Sequence, residues 1–181
     1  MPTPQEVLRF WFEETPPSAW FRPGPDRDRT VRERFGALTD QALDGGLAPW
    51  GERPAEALAL LLVLDQFPRQ IWRDQARAFA GDGQALALTL RAVEAGWVAA
   101  EPAPERRPFW LMPLMHSEDP AVQELGLPLF ERHTDARTAE FARRHQAVIA
   151  RFGRFPHRNR ILGRPSLPEE EAFLQQPGSR F

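Results

Sequence analysis

The sequence contains no cysteine, no lysine and no tyrosine. Without cysteine there are no disulfides, no thiolate zinc sites, no iron–sulfur clusters and no thiol nucleophile, a state compatible with a reducing compartment. The missing lysine leaves arginine as the sole permanent cation; a GC-rich coding genome accounts for that bias more simply than function does. Arginine's planar fork nevertheless suits carboxylate and phosphate, so the places where arginines gather carry information. Isoleucine, valine and threonine are sparse and no stretch alternates with a two-residue period, which argues against a sheet. Long apolar runs are missing as well: the most hydrophobic segment, 58–64, is far too short to span a bilayer. Met1-Pro2-Thr3-Pro4-Gln5-Glu6 has no basic start followed by an apolar run. The expected location is therefore the cytoplasm, with no membrane association.

What is present is ordinary globular composition. The 181 residues are 42% hydrophobic and 27% charged with a formal net charge of −2, which gives no bulk attraction to nucleic acid and suits one domain spanning residues 1–181.

The pattern is helical throughout. Thr3-Pro4-Gln5-Glu6 combines a capping threonine, proline at the first helical position and glutamate at the third, ahead of Val7, Leu8, Phe10, Trp11 and Phe12; Pro16-Pro17 closes that helix. Over 26–43, Val31, Phe35, Leu38 and Ala42 recur at helical spacing, with Gly45-Gly46 as a stop. The segment from Pro54 is apolar on every face, which predicts a central helix ending at Asp65-Gln66-Phe67-Pro68. A helix over 82–94 presents Leu86, Leu90 and Val93 and closes at Gly96. Pro108 and Pro113 confine 109–115 to a short or kinked helix, and Asp119-Pro120 caps another through Phe130, bent at Pro128. Thr134 opens a helix to Phe152 with Phe141, His145, Val148 and Phe152 on one stripe; Ser166-Leu167-Pro168-Glu169 reads as a capping box for a last helix to Leu174. About eight helices joined by short turns predict antiparallel helix pairs, in a bundle or a helical array. No internal repeat is evident.

Three polar clusters interrupt this core. In Asp65-Gln66-Phe67-Pro68-Arg69 a carboxylate at the end of a buried helix needs a partner, with Arg69 nearest in sequence; the group is either a locked ion pair or an acid–base residue tuned by burial. In Met115-His116-Ser117-Glu118-Asp119, His116 and Glu118 can share a proton, contribute to a metal site or cap the next helix. No paired-histidine helix motif is present and His133, His145 and His157 lie far apart, so no metal is expected. Ser117 lacks the glycine-flanked turn of hydrolase nucleophiles. The segment 151–164 holds five arginines, His157 and Asn159 without one acid, interleaved with phenylalanine. Such a loop binds a carboxylate or phosphate through arginine forks, stacks on RNA, or pairs with acidic helices nearby. His145 falls on an apolar stripe, where a hydrogen-bonded core histidine is the simpler reading than a catalytic one.

Leu64-Asp65-Gln66-Phe67-Pro68-Arg69, Met115-His116-Ser117-Glu118 and the 151–164 block resemble the signature blocks of the bacterial "domain of unknown function 924" family, as do the opening 7–12 and closing 169–174 segments. The resemblance runs the length of the chain and implies a tetratricopeptide-like, all-helical fold; it implies no established reaction. Two departures stand out, Gln70 where the family tends to asparagine and Leu114 where it tends to phenylalanine. Neither removes an ionisable group.

Two functions are expected from these features. In the first, Asp65, His116, Glu118 and His157 are the proton-handling groups of a pocket for a small anionic metabolite, held by Arg69, Arg154, Arg158 and Asn159. In the second, the chain is a helical interaction module for a peptide or partner protein, and the clusters only lock helix ends. Neither requires a cofactor, and nucleic acid is the weaker partner class. Trp20, Trp50 and Trp97 are candidates for a homodimer face, with core packing as the competing explanation.

Overall fold

Local capping and proline placement decide where the helices begin, and a computed structural model describes the outcome for residues 1–180. The first helix, α1 (Pro4–Arg9), opens with the expected reciprocal cap: the Thr3 hydroxyl accepts from the Glu6 N–H and the Glu6 carboxylate accepts from the Thr3 N–H at 2.7 Å. It continues into a wider π turn, Phe10–Glu14. Helix α2 (Pro25–Leu43) follows, burying Val31, Phe35, Leu38, Thr39 and Ala42.

Helix α3 (Pro54–Leu61) is buried on nearly every side, as its composition predicts, but it does not stop at Asp65-Gln66-Phe67-Pro68. The chain passes through a second π turn, Leu62–Gln66, and on into α4 (Phe67–Ile71). In an ordinary helix Pro68 would press against the carbonyl of Leu64, to which it offers no N–H. The π turn widens the spiral there, with the Phe67 N–H reaching back to the Leu62 carbonyl, and the helix survives. The Leu64 carbonyl meets Gly81, where an added Cβ would lie 2.1 Å from the oxygen. Helix α5 (Asp82–Glu94) starts at the next residue.

The short α6 (Trp97–Ala100) leads to α7 (Arg107–His116), whose residues from Phe109 to Met115 are all buried despite the internal Pro113. Helices α8 (Pro120–His133) and α9 (Ala136–Phe152) form a hairpin, and α10 (Pro168–Leu174) ends the fold. Among the described residues there are ten α-helical segments and no strand; the count exceeds the expected eight because a π turn divides one long helix and α6 is a separate turn.

Four local expectations are corrected. Thr134 closes α8, its hydroxyl donating to the Phe130 carbonyl, while Asp135 caps α9. The buried stripe of α5 is Ala85, Leu88, Thr89 and Ala92, leaving Leu90 37% exposed, and that of α9 includes Ala139, Ala142 and Ile149, leaving Phe141 38% exposed. Alanine permits close helix approach, so these helices seat on their small residues rather than on the larger ones. Ser166 does not cap α10; the Glu170 carboxylate accepts the Leu167 N–H instead.

The core centres on the α3–α4 segment and α7. Phe67 packs 4.9 Å from Phe35 and 6.0 Å from Trp11, and Trp11 meets Phe109 edge-on at 5.6 Å. A smaller apolar cluster, Val148, Ile149 and Phe155, lies under the 151–164 loop.

The contact between Gly81 and the π turn sets a stability prediction. Gly81→Ala drives a methyl group into the Leu64 carbonyl and should lower the unfolding free energy by about 3 kcal/mol in urea melts. Gly83→Ala, with nothing within 4 Å of its Cβ position, should leave stability unchanged or raise it by roughly 0.5–1 kcal/mol.

Candidate functional site

The π turn carries Asp65 into the interior, where it is 2% exposed. Its Oδ1 lies 2.6 Å from Nδ1 of His116, the last residue of α7, and its Oδ2 accepts from Gln66 Nε2 at 2.6 Å. Arg69, one turn along α4, sits 3.4 Å from Oδ1 and donates to the Asp65 backbone carbonyl at 2.7 Å. Burial pushes the Asp65 carboxyl up, but His116, Arg69 and the hydrogen bonds outweigh it and hold the pKa at about 2. An ionised carboxylate is an acceptor only, so Nδ1 of His116 is the donor. That leaves Nε2 as the outward nitrogen. The ring is 17% exposed, and Nε2 bonds to no described residue and is not sealed from solvent.

Two arginines approach the same place. Arg69 grips Asp82, the first residue of α5, with bonds of 2.7 and 3.0 Å. Arg158, from the 3-10 turn Pro156–Arg158, donates through Nη2 to the His116 backbone carbonyl at 2.9 Å. Its Nη1 stands 3.7 Å from Asp82, beyond hydrogen-bonding distance, and its Nε is sealed without a partner. The guanidinium lies 4.6 Å over Phe79 and 4.7 Å over Phe155. Burial and then Arg69 push its pKa down to about 10. Burial also lowers His157, to about 4 with help from Arg158, and His145, to about 3 although its Nδ1 donates to the Phe141 carbonyl. Both of these imidazoles are neutral at neutral pH.

A second network adjoins the first and is closed. Glu118 takes two bonds from Arg164, at 2.7 and 3.0 Å, and one from the Phe155 N–H at 2.7 Å. Asn159 is fully buried, donating to Ser166 and Glu170 and accepting from Arg164. Buried Glu170 is held by Arg154 at 2.7 and 2.8 Å, and Arg154 also donates to the Pro165 carbonyl.

Of the residues singled out from sequence, the structure gathers Asp65, Arg69, His116 and Arg158 around one point, with His157 next to Arg158. Glu118, Arg154 and Asn159 sit instead within the bracing network. His116 and Glu118, for which proton sharing, a metal site and helix capping were the alternatives, pair with Asp65 and Arg164 respectively. Sequence reasoning passed over Asp82, Arg164 and Glu170. Asp82 looks like any acid in the first turn of a helix, and only the Gly81 contact hints that this helix starts against another. Among the described residues, no three His, Cys, Asp or Glu side chains gather as a metal site would need.

Two surface depressions lie elsewhere. One of about 490 Å³ is lined by Arg151, Phe152, Arg154 and Glu169, and one of about 110 Å³ by Gln123, Glu124 and Gln146. Neither is lined by Asp65, Arg69, His116 or Arg158, around which the sequence led to the expectation of an open pocket. The side chains of His116, Arg69 and Asp82 are partly exposed.

The chain matches, over residues 7–178, the family described as "Bacterial protein of unknown function (DUF924)". It is also similar to the solved structure of a protein of unknown function, ATU0120 from Agrobacterium tumefaciens. That likeness has a TM-score of 0.89 and 33% sequence identity, covering 95% of this chain and 96% of the other. No curated protein matches.

The bracing network generates a pH prediction. The Arg154 hydrogen bonds lower the Glu170 carboxyl from 4.5 to about 2, against the opposing effect of burial. A depressed folded pKa contributes stability that is complete above the ordinary value and lost as pH falls toward the folded one. Glu170→Gln should therefore reduce stability at neutral pH and flatten the loss of stability between about pH 4.5 and 2, measured by urea melts across that range.

Proposed function

This chain belongs to the bacterial family DUF924, and from its geometry we propose that it binds a small anionic metabolite, a carboxylate or phosphate, beside His116 and moves a proton to or from it. The observation that carries this reading is the 2.6 Å contact between His116 Nδ1 and the buried Asp65, which leaves Nε2 as the working edge. A carboxylate behind an imidazole fixes its tautomer and stabilises the ring when it takes up a proton. Such a positioned acid–base group contributes about 10²–10⁴-fold to a proton transfer. Arg158 is the anion holder, because its Nε is buried without a partner and its Nη1 stands 3.7 Å from Asp82, beyond hydrogen-bonding distance. Arg69 supports it from across Asp82. Residues 1–181 act as one domain in this reading.

A purely structural role for the cluster is less economical. Buried ion pairs seldom stabilise a fold beyond what apolar side chains of the same volume would provide, yet this interior spends an aspartate, a histidine and two arginines on one spot.

The test is a thermal-shift screen against phosphorylated and carboxylated metabolites. At least one should raise the melting temperature saturably. Arg158→Lys, which keeps the charge and loses the fork, should weaken that binding about tenfold or more, or ~1.4 kcal/mol. His116→Gln should keep binding and lose any turnover. An empty screen, with capture of peptides instead, would replace this reading by that of an interaction module.

A further inference from the structure

The larger of the two depressions, of about 490 Å³, lies at the end of α9 and is lined by none of the four residues gathered around Asp65. Its volume falls within the range of about 300–1,000 Å³ usual for small-ligand sites. Two of its lining residues, Arg154 and buried Glu170, hold each other at 2.7 and 2.8 Å, and Arg154 also donates to the Pro165 carbonyl. These bonds fix the end of α9 against the segment leading into α10. Phe152, Pro165 and Leu167 give the depression an apolar surface, of which Leu167 is left 56% exposed.

Two charged side chains lining it are not used by the fold. Arg151, in the last turn of α9, carries its guanidinium 4.6 Å over the Phe152 ring and makes no hydrogen bond or ion pair with a described residue. Glu169, in the first turn of α10, makes none through its side chain either. Arg154 and Glu170 cancel each other, so the depression offers one positive and one negative charge that do not pair together. A space of this volume is about 8 Å across, comparable to the screening length at physiological salt, so each charge acts on whatever occupies it. An anion alone would meet Arg151 and also the unmatched carboxylate; a cation alone would meet the reverse. A molecule carrying both charges on an apolar body suits all three surfaces. Seating on Phe152 also holds the Arg151 fork in place, which reduces the freedom lost when it grips a carboxylate.

We infer that this depression binds a short apolar peptide of dipeptide size with both ends free. Its carboxylate lies on Arg151, its ammonium on Glu169, and its side chains on Phe152, Pro165 and Leu167. The inference stands apart from the anion site beside His116 and shares none of its residues.

Protein-detected NMR titration of the full chain with leucyl-leucine at about pH 6.5, where both termini are charged, tests this. Leucyl-leucine should bind saturably, with the largest shifts among residues 151–170. N-acetyl-leucyl-leucine, leucyl-leucinamide and seryl-serine should each bind at least about tenfold more weakly. Arg151→Gln should weaken leucyl-leucine to the level of its amide while leaving the amide unaffected, and Glu169→Gln should do the same with respect to the acetylated form. Both side chains are exposed and unbonded, so these substitutions should leave folding intact. Arg158→Lys should not change leucyl-leucine binding. No saturable binding, a blocked or polar dipeptide binding as tightly as leucyl-leucine, or binding indifferent to Arg151→Gln each overturns the inference. Binding lost in Arg158→Lys and kept in Arg151→Gln overturns it too, by moving the ligand to the site beside His116.

Discussion

A carboxylate at position 65 with almost no access to water is the constraint around which the rest of the site is arranged. An ion so placed is tolerated only if charge and hydrogen bonds replace its hydration. Asp65 obtains them from three directions: His116 at the end of α7, Gln66 beside it in the π turn, and Arg69 from α4. Each partner then has its own requirements, which bring in Asp82 and Arg158 and so fasten α5 and the 151–164 loop to the centre.

The two polar networks do different work. Glu118, Arg164, Asn159, Glu170 and Arg154 satisfy one another almost completely, and this fixes the arginine-rich loop against the start of α10. Held in this way, Arg158 presents its guanidinium between Phe79 and Phe155 without a full set of partners. Rigid bracing on one side and incomplete pairing on the other is the arrangement expected of a site in which orientation is paid for by neighbouring structure.

Most helix starts were legible because capping is local chemistry: Thr3 with Glu6, Asp119 before Pro120, and the start of α5 at Asp82 all lie where the sequence puts them. The α3–α4 junction was not legible, since Pro68 ordinarily ends a helix and the π turn that absorbs it has no compositional mark. Ala85 and Ala92 were passed over because small side chains add little to an apolar stripe, yet they let helices approach closely. At the candidate site, residue types in the conspicuous blocks pointed to Asp65, Arg69, His116 and Arg158, which meet in space. The division of labour among the arginines lay beyond sequence, because it depends on which acid each one reaches: Arg154 finds Glu170, Arg164 finds Glu118, and Arg158 stops 3.7 Å short of Asp82.

The central claim is that Asp65 orients His116 so that Nε2 is the exposed, proton-accepting nitrogen. Nitrogen-15 NMR of the imidazole ring reads this directly through the tautomer of the neutral form. The account predicts Nδ1–H with a bare Nε2 in the wild-type protein, and a shift of population toward Nε2–H in Asp65→Asn. A wild-type ring already protonated at Nε2, or a tautomer indifferent to the loss of the Asp65 carboxylate, would contradict it.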